Sequence, residues 1–292
     1  MFVKVAVGVN GLQGVRDAVV LARILAADAE TTLAHVYGRG LALQLGGFAA
    51  SGQPREAREL LERKRAAAGL DVEVVVGAER SVGRGLHELA EELEADLLVV
   101  GSCRRALLGR VLLGNDTVSS LNGAQCAVAI APMGYVSPGG GLSSVGVGHD
   151  GSSESEQTLD ARRELARRYG GNVRTLSVVS LQSIPYGAPI SDNWPRVARE
   201  RMDDERRRLR GLEDVEGDVT YGEVSEELAQ FSETVELLMV GSRGYGPLGR
   251  LMNGSTSNYL AARSRCPLLV LPRTAIRRAN AHVGEEGVEA RA

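Results

Sequence analysis

Lysine and the aromatic residues are nearly missing from this chain of 292 residues. Lys4 and Lys64 are the only lysines, so arginine carries almost all the positive charge. Lys plus Arg number 34 against 37 Asp plus Glu, a formal net charge of -3. That balance provides no broad basic field and argues against a nucleic-acid partner. Aromatics make up 4%, so the cores must be aliphatic, built from Val, Leu, Ile and Ala. Cysteine is equally sparse: Cys103, Cys126 and Cys266 have no metal-ligand spacing, and Cys126 and Cys266, in equivalent places just before a strand, read as structural rather than redox thiols. His35, His87, His149 and His282 show no zinc spacing, so no metal is expected. No apolar run approaches the roughly 18 residues needed to span a bilayer. With no secretory signal pattern either, the expectation is a cytoplasmic protein without a membrane partner.

What the chain does have is a duplication. A shift of 140 positions superimposes Leu97-Leu98-Val99-Val100-Gly101-Ser102 on Leu237-Leu238-Met239-Val240-Gly241-Ser242. The same shift matches Leu108-Gly109-Arg110 with Leu248-Gly249-Arg250, Gly114 with Gly254, Cys126 with Cys266 and Pro132 with Pro272. Near the start it matches Asn10-Gly11 with Asp150-Gly151. So long a period marks a duplicated domain, since solenoid repeats run to about 20–50 residues. The boundaries read as 1–136 and 142–274, joined through Pro138-Gly139-Gly140-Gly141, with a polar tail at 275–292 that reads as disordered.

Each half alternates short apolar runs with amphipathic segments. Strands are predicted at 3–9, 32–36, 71–76, 97–100 and 127–131, then at 145–147, 173–179, 219–221, 235–240 and 268–271. Helices are predicted at 15–28, 54–68, 83–94 and 116–122, then at 154–169, 195–212, 225–231 and 255–264. This order indicates two tandem doubly wound α/β domains, Rossmann-like, each with a five-stranded parallel sheet. In such folds ligands bind beyond the carboxyl ends of the strands where strand order reverses. The first and fourth strands of the second half end at Asp150 and Gly241, which places both beside one crevice.

Gly241, Gly244 and Gly254, followed by Ser255, Thr256 and Ser257, form the strongest functional signal. An apolar strand runs into a glycine loop and then into a serine-rich helix start. Glycine allows close backbone approach, and a helix N-terminus offers N–H groups and partial positive charge to an anion. Arg243 lies inside the loop and is either a phosphate contact or a solvated side chain. Asp150 is read as a ligand contact at this crevice or as a cap of the next helix. His149 beside it reads as a turn residue, because no nucleophile accompanies it. The segment 196–210 is dense in Arg, Asp and Glu, which points to a solvated face with intrahelical pairs.

The chain resembles the universal stress protein family in its tandem form, over residues 1–273. The carriers are Val-Gly-His-Asp150-Gly-Ser, the Gly-x-x-Gly-x9-Gly-Ser loop from Gly241, and Cys266-Pro-Leu-Leu-Val-Leu-Pro. The resemblance to the ATP-binding branch implies ATP as cofactor, alone or with Mg. It implies that Asp150 contacts the ribose, that the backbone of Val178 contacts adenine, and that the glycine loop with Ser255, Thr256 and Ser257 holds the phosphates. In the first half Arg104, Asn115 and Asn10 replace Gly, Ser and Asp, and Asp116 adds a carboxylate at the helix start. One nucleotide per chain is therefore expected. The resemblance also implies that the two halves pack as a pseudo-twofold pair, like the dimer of single-domain members. Strands 127–131 and 268–271 would then pair antiparallel and hide two apolar edges.

No Gly-x4-Gly-Lys-Ser/Thr loop is present, and no general base for phosphate chemistry can be identified. The expectation is a nucleotide-dependent regulator or sensor of stress, not an enzyme, with at most slow incidental ATP hydrolysis. It would act on an unidentified regulatory protein partner and associate as a homodimer. Two other readings compete. One is an interaction module that no longer needs nucleotide. The other is a weak phosphohydrolase or nucleotidyl enzyme on a related fold.

Overall fold

The computed structural model describes residues 1–9, 15–38, 53–101, 120–121, 123–136, 141–180, 194–212, 216–242 and 255–272. In the first half these form β1 (Lys4–Gly8), α1 (Val15–Leu25), β2 (Glu30–Gly38), α2 (Gln53–Ala67), β3 (Glu73–Glu79), α3 (Val82–Glu92), β4 (Leu97–Gly101) and β5 (Ala127–Ala131). The second half contributes β6 (Ser144–His149), α4 (Ser153–Tyr169), β7 (Asn172–Val179), α5 (Trp194–Arg210), β8 (Glu216–Tyr221), α6 (Val224–Phe231), β9 (Leu237–Ser242), α7 (Ser255–Arg263) and β10 (Leu268–Pro272). The proposed tail, the linker at Pro138 to Gly140 and most of the expected helix at 116–122 lie outside the described residues.

All ten strands join one sheet in the order β3-β2-β1-β4-β5-β10-β9-β6-β7-β8. Every neighbouring pair is parallel except β5 with β10, which is antiparallel. In that pair Leu269 faces Ala129, the residue that the duplication makes its equivalent. The pseudo-twofold axis therefore passes between these two positions, as the apolar character of both closing strands anticipates. Their side chains explain the join. All five residues of β5 and all five of β10 are buried, so either strand left at an edge would expose an apolar ladder.

Strand alternation divides the core into two faces. Val5, Val7, Leu97, Val99, Ala129, Leu237, Met239 and Leu269 pack with Leu21 and Leu25 of α1, Leu61 of α2 and Leu159 and Leu165 of α4. Leu98, Val128, Ile130, Leu238, Val240, Leu268 and Val270 pack with Leu86 and Leu89 of α3, Phe231 of α6 and Leu260 of α7. Each layer contains residues from both halves, so apolar burial is continuous across the β5–β10 seam.

Two outer strands differ from their expected extents. β8 starts at Glu216, three residues before the expected start, and β3 spans Glu73–Glu79. Both are edge strands, paired with a neighbour on one side only, and their apolar patterning is weak. Polar contacts pin the early part of β8: Asn172 Nδ2 donates to Glu216 Oε2 at 3.1 Å, and Arg174 lies 3.6 Å from Asp218. The last turn of α1 also ends at Leu25, short of the expected 28.

Candidate functional site

The crevice of the second half begins where two central strands stop pairing with each other. β6 and β9 are in register up to Gly148 opposite Val240. Beyond that point, among the described residues, β6 keeps only its outer partner, with His149 opposite Ser177. β9 likewise keeps only β10, with Gly241 opposite Leu271 and Ser242 opposite Pro272. The ladder splits at the carboxyl ends, at the point where strand order reverses, which is where doubly wound sheets hold ligands. Asp150 follows one lip of the split, and Gly241 forms the other. Val178 lies near the end of β7, half-buried, beside the same opening. Ser255, Thr256 and Ser257 form the first turn of α7, with Ser255 exposed and the other two half-buried. Arg243, Gly244 and Gly254 lie outside the described residues.

The Asp150 turn is built locally. Gly151 has φ +72, a backbone state that side chains with a Cβ rarely adopt. This bend brings Ser152 back to Asp150, whose Oδ1 accepts from the Ser152 N–H at 3.0 Å and the Ser152 hydroxyl at 2.5 Å. Ser152 Oγ in turn accepts the N–H of Ser155 at 3.3 Å, as an N-cap does. The cap of α4 is thus Ser152, while Asp150 orients it. Asp150 itself is exposed.

His149 departs from the turn reading. It is the last residue of β6, and its side chain has no exposed surface. The alternation that points Val145 and Val147 into the core points His149 to the same face. Its Nδ1 lies 3.6 Å from Glu205 Oε1 on α5, and among the described residues neither ring nitrogen has a hydrogen-bond partner. Burial holds its pKa below the ordinary 6.5, with Arg208 adding to the effect, while Glu205 and Asp150 oppose it.

Helix α5 is in part the solvated face expected from its charges. Arg196 pairs with Glu200, Arg206 with Asp203 and Arg207 with Asp204. Glu205 and Arg208 behave differently. Glu205 Oε1 accepts from Ser177 Oγ at 2.9 Å, and Arg208 Nη2 donates to the Gly151 carbonyl at 2.8 Å. Sequence pattern alone did not separate these two from their charged neighbours. The available signal was position: they stand three apart, on one helical face.

The thiols are consistent with a structural role. Cys126 and Cys266 are buried and free, and desolvation pushes them up to about 12 and about 11 respectively. Cys103 lies outside the described residues. Among the described residues no cluster of His, Cys, Asp or Glu is suited to a metal ion. No described helix is long and apolar enough to cross a membrane.

The profile of the universal stress protein family matches residues 1–132 and again 142–272. The chain belongs to the universal stress protein family, in its tandem form. A universal stress protein of Mycobacterium tuberculosis is 31% identical over 235 residues, covering 76% of this chain and 79% of the relative. Another, from Mycolicibacterium smegmatis, is 28% identical over 210 residues, covering 70% and 69%. Among solved structures, a universal stress protein from Archaeoglobus fulgidus superimposes with a TM-score of 0.63 at 20% identity, covering 92% of this chain and 98% of its own. One from Pseudomonas aeruginosa gives 0.59 at 13% identity, covering 95% and 96%. At these identities the structural likeness bears on the fold. Both halves of this universal stress protein share that fold, yet only the second has the aspartate, the three glycines and the serine together.

Proposed function

We propose that the chain binds one ATP in the crevice of its second half and works as a nucleotide-dependent regulator or sensor. The observation that carries this reading is the split between β6 and β9 after Gly148 and Val240, with Asp150 and Gly241 on its two lips. The exposed Asp150 carboxylate suits a ribose diol. The backbone of Val178 suits an adenine edge. Gly241, Arg243, Gly244, Gly254, Ser255, Thr256 and Ser257 form the phosphate side. The domains are taken as 1–136 and 142–274, and the partner is an unidentified regulatory protein. ATP hydrolysis is at most slow and incidental, and the protein acts in the cytoplasm as a homodimer.

Mass spectrometry of ligand released from protein purified without added nucleotide tests the reading directly. Adenine nucleotide is the expected species, and calorimetric titration is expected to give a stoichiometry near one. A stoichiometry near two would show that the first half still binds. Neither retained nor added adenine nucleotide binding would overturn the proposal.

A further inference from the structure

Helix α5 approaches the crevice at three points. Arg208 donates to the Gly151 carbonyl, Glu205 accepts from Ser177 of β7, and the same Glu205 oxygen faces the buried ring of His149. Gly151 leaves the space for this. A Cβ added there would lie 1.7 Å from Arg208 Nη1. The first half has none of the three charged or titratable groups. Val9 stands where the second half has His149. With the helices aligned on Pro54-Arg55 and Pro195-Arg196, Lys64 and Ala67 stand where it has Glu205 and Arg208. The cluster therefore accompanies the intact glycine motif and is absent from the half that lost it.

We infer that Glu205 and Arg208 are positioning residues of the nucleotide crevice, fixing from α5 the turn that presents Asp150. The inference rests on the nucleotide reading above. Arg208 restrains the carbonyl next to Asp150, so the carboxylate is held in one orientation before ligand arrives. Restraint of that kind lowers the ordering cost of binding. Glu205 ties the end of β7 to the same helix through Ser177 and lies 3.6 Å from the His149 ring at the end of β6. The groups facing His149 are Glu205 and Arg208 from α5, Ser177 from β7 and Asp150 from its own segment. When His149 takes a proton, its closest charged partner is Glu205, which then divides its oxygen between the imidazolium and Ser177. Nucleotide affinity consequently acquires an inflection on the acid side of neutrality.

The test is ATP titration of the full chain from pH 5 to 8, comparing wild type with Arg208→Ala, Arg208→Lys and Glu205→Gln. Arg208→Ala is expected to weaken ATP binding about tenfold, the scale of one charge-assisted hydrogen bond. Arg208→Lys is expected to recover part of the loss. Glu205→Gln is expected to move the acid inflection to lower pH, because His149 loses the carboxylate that favours its proton. A role confined to structure would leave that inflection in place. Wild-type affinity in Arg208→Ala, or an unmoved inflection in Glu205→Gln, overturns the inference while leaving the nucleotide site intact. Absence of ATP binding by the wild type refutes the site itself. If Arg208→Ala does not fold, Arg208→Lys and Glu205→Gln decide the matter by the same readings.

Discussion

Asp28 and Arg168 are 140 residues apart and form an ion pair at 2.5 Å across the boundary between the halves. That separation equals the offset of the duplication, so each residue meets its own equivalent across the pseudo-twofold axis. In a symmetric dimer of identical chains such a position faces itself, and a charge there repels its copy. Fusion of two copies removes that constraint, and here one copy carries Asp and the other Arg.

The energetic weight of this pair should nevertheless be small. Asp28 has 89% of its side chain exposed, and exposed pairs contribute about 0.2–1 kcal/mol. Asp28→Arg is expected to lower stability by roughly that amount in urea unfolding at low salt. Combining it with Arg168→Asp should restore the loss. A loss above about 2 kcal/mol would mean that the pair anchors the interface rather than trimming it.

The seam itself should depend on aliphatic burial. Leu269 is fully buried opposite Ala129, in a core layer drawn from both halves. Leu269→Ala removes packing from that shared layer and is expected to cost about 2–5 kcal/mol. Because the layer is continuous, both halves should lose stability together in denaturant unfolding. Two separate transitions, with the first half unaffected, would contradict a shared core.

Acidification should expose the cost of burying His149. Its folded pKa lies below 6.5, mainly through desolvation, so the unfolded chain binds its proton more readily. Stability therefore falls as pH drops through the unfolded value toward the folded one, and above the unfolded value the group makes no difference. His149→Val, which copies Val9, should flatten this part of the stability profile. An equal slope in variant and wild type between pH 7.5 and 5.5 would place the acid sensitivity elsewhere.

The two buried thiols should be inert. With their pKa values pushed up to about 12 and about 11, Cys126 and Cys266 carry negligible thiolate at neutral pH. Peptide-resolved alkylation should label them only after denaturant is added. Rapid labelling of either in native protein would show that its strand opens readily.

Gly244→Arg transfers to the second half the residue that stands at 104 in the first. It is expected to abolish ATP binding while leaving the melting temperature nearly unchanged. Asp150→Ala should weaken binding less, by about 1.5–3 kcal/mol for one charge-assisted hydrogen bond. Calorimetry separates the outcomes, and undiminished affinity in Gly244→Arg would reject the glycine loop as the phosphate site.

Much of this architecture is readable along the chain because its signals are local. Five-residue aliphatic runs such as Leu97–Gly101 can be buried on both faces only in a covered parallel sheet. The offset of 140 residues marks the duplication, and the apolar closing strands require one another. The neighbouring carboxyl ends of β6 and β9 also follow, since in a doubly wound half the first and fourth strands adjoin where the strand order reverses. The edge strands were less legible. Glu216 and Asp218 have no apolar pattern, and what holds them in β8 is Asn172 and Arg174 on the neighbouring strand. The polar cluster behind the Asp150 turn shows in the chain only as the three-residue spacing of Glu205 and Arg208. Nothing in Arg206-Arg207-Arg208 distinguishes the arginine that bonds to Gly151 from the two that pair with Asp203 and Asp204 within the helix. That distinction depends on the rotation of α5 against β7 and β8, which is fixed by long-range packing. The elements, the duplication and the motif are written along the chain. Which charges face the crevice depends on long-range packing, because a charge pattern on one helix does not specify the side from which the sheet approaches.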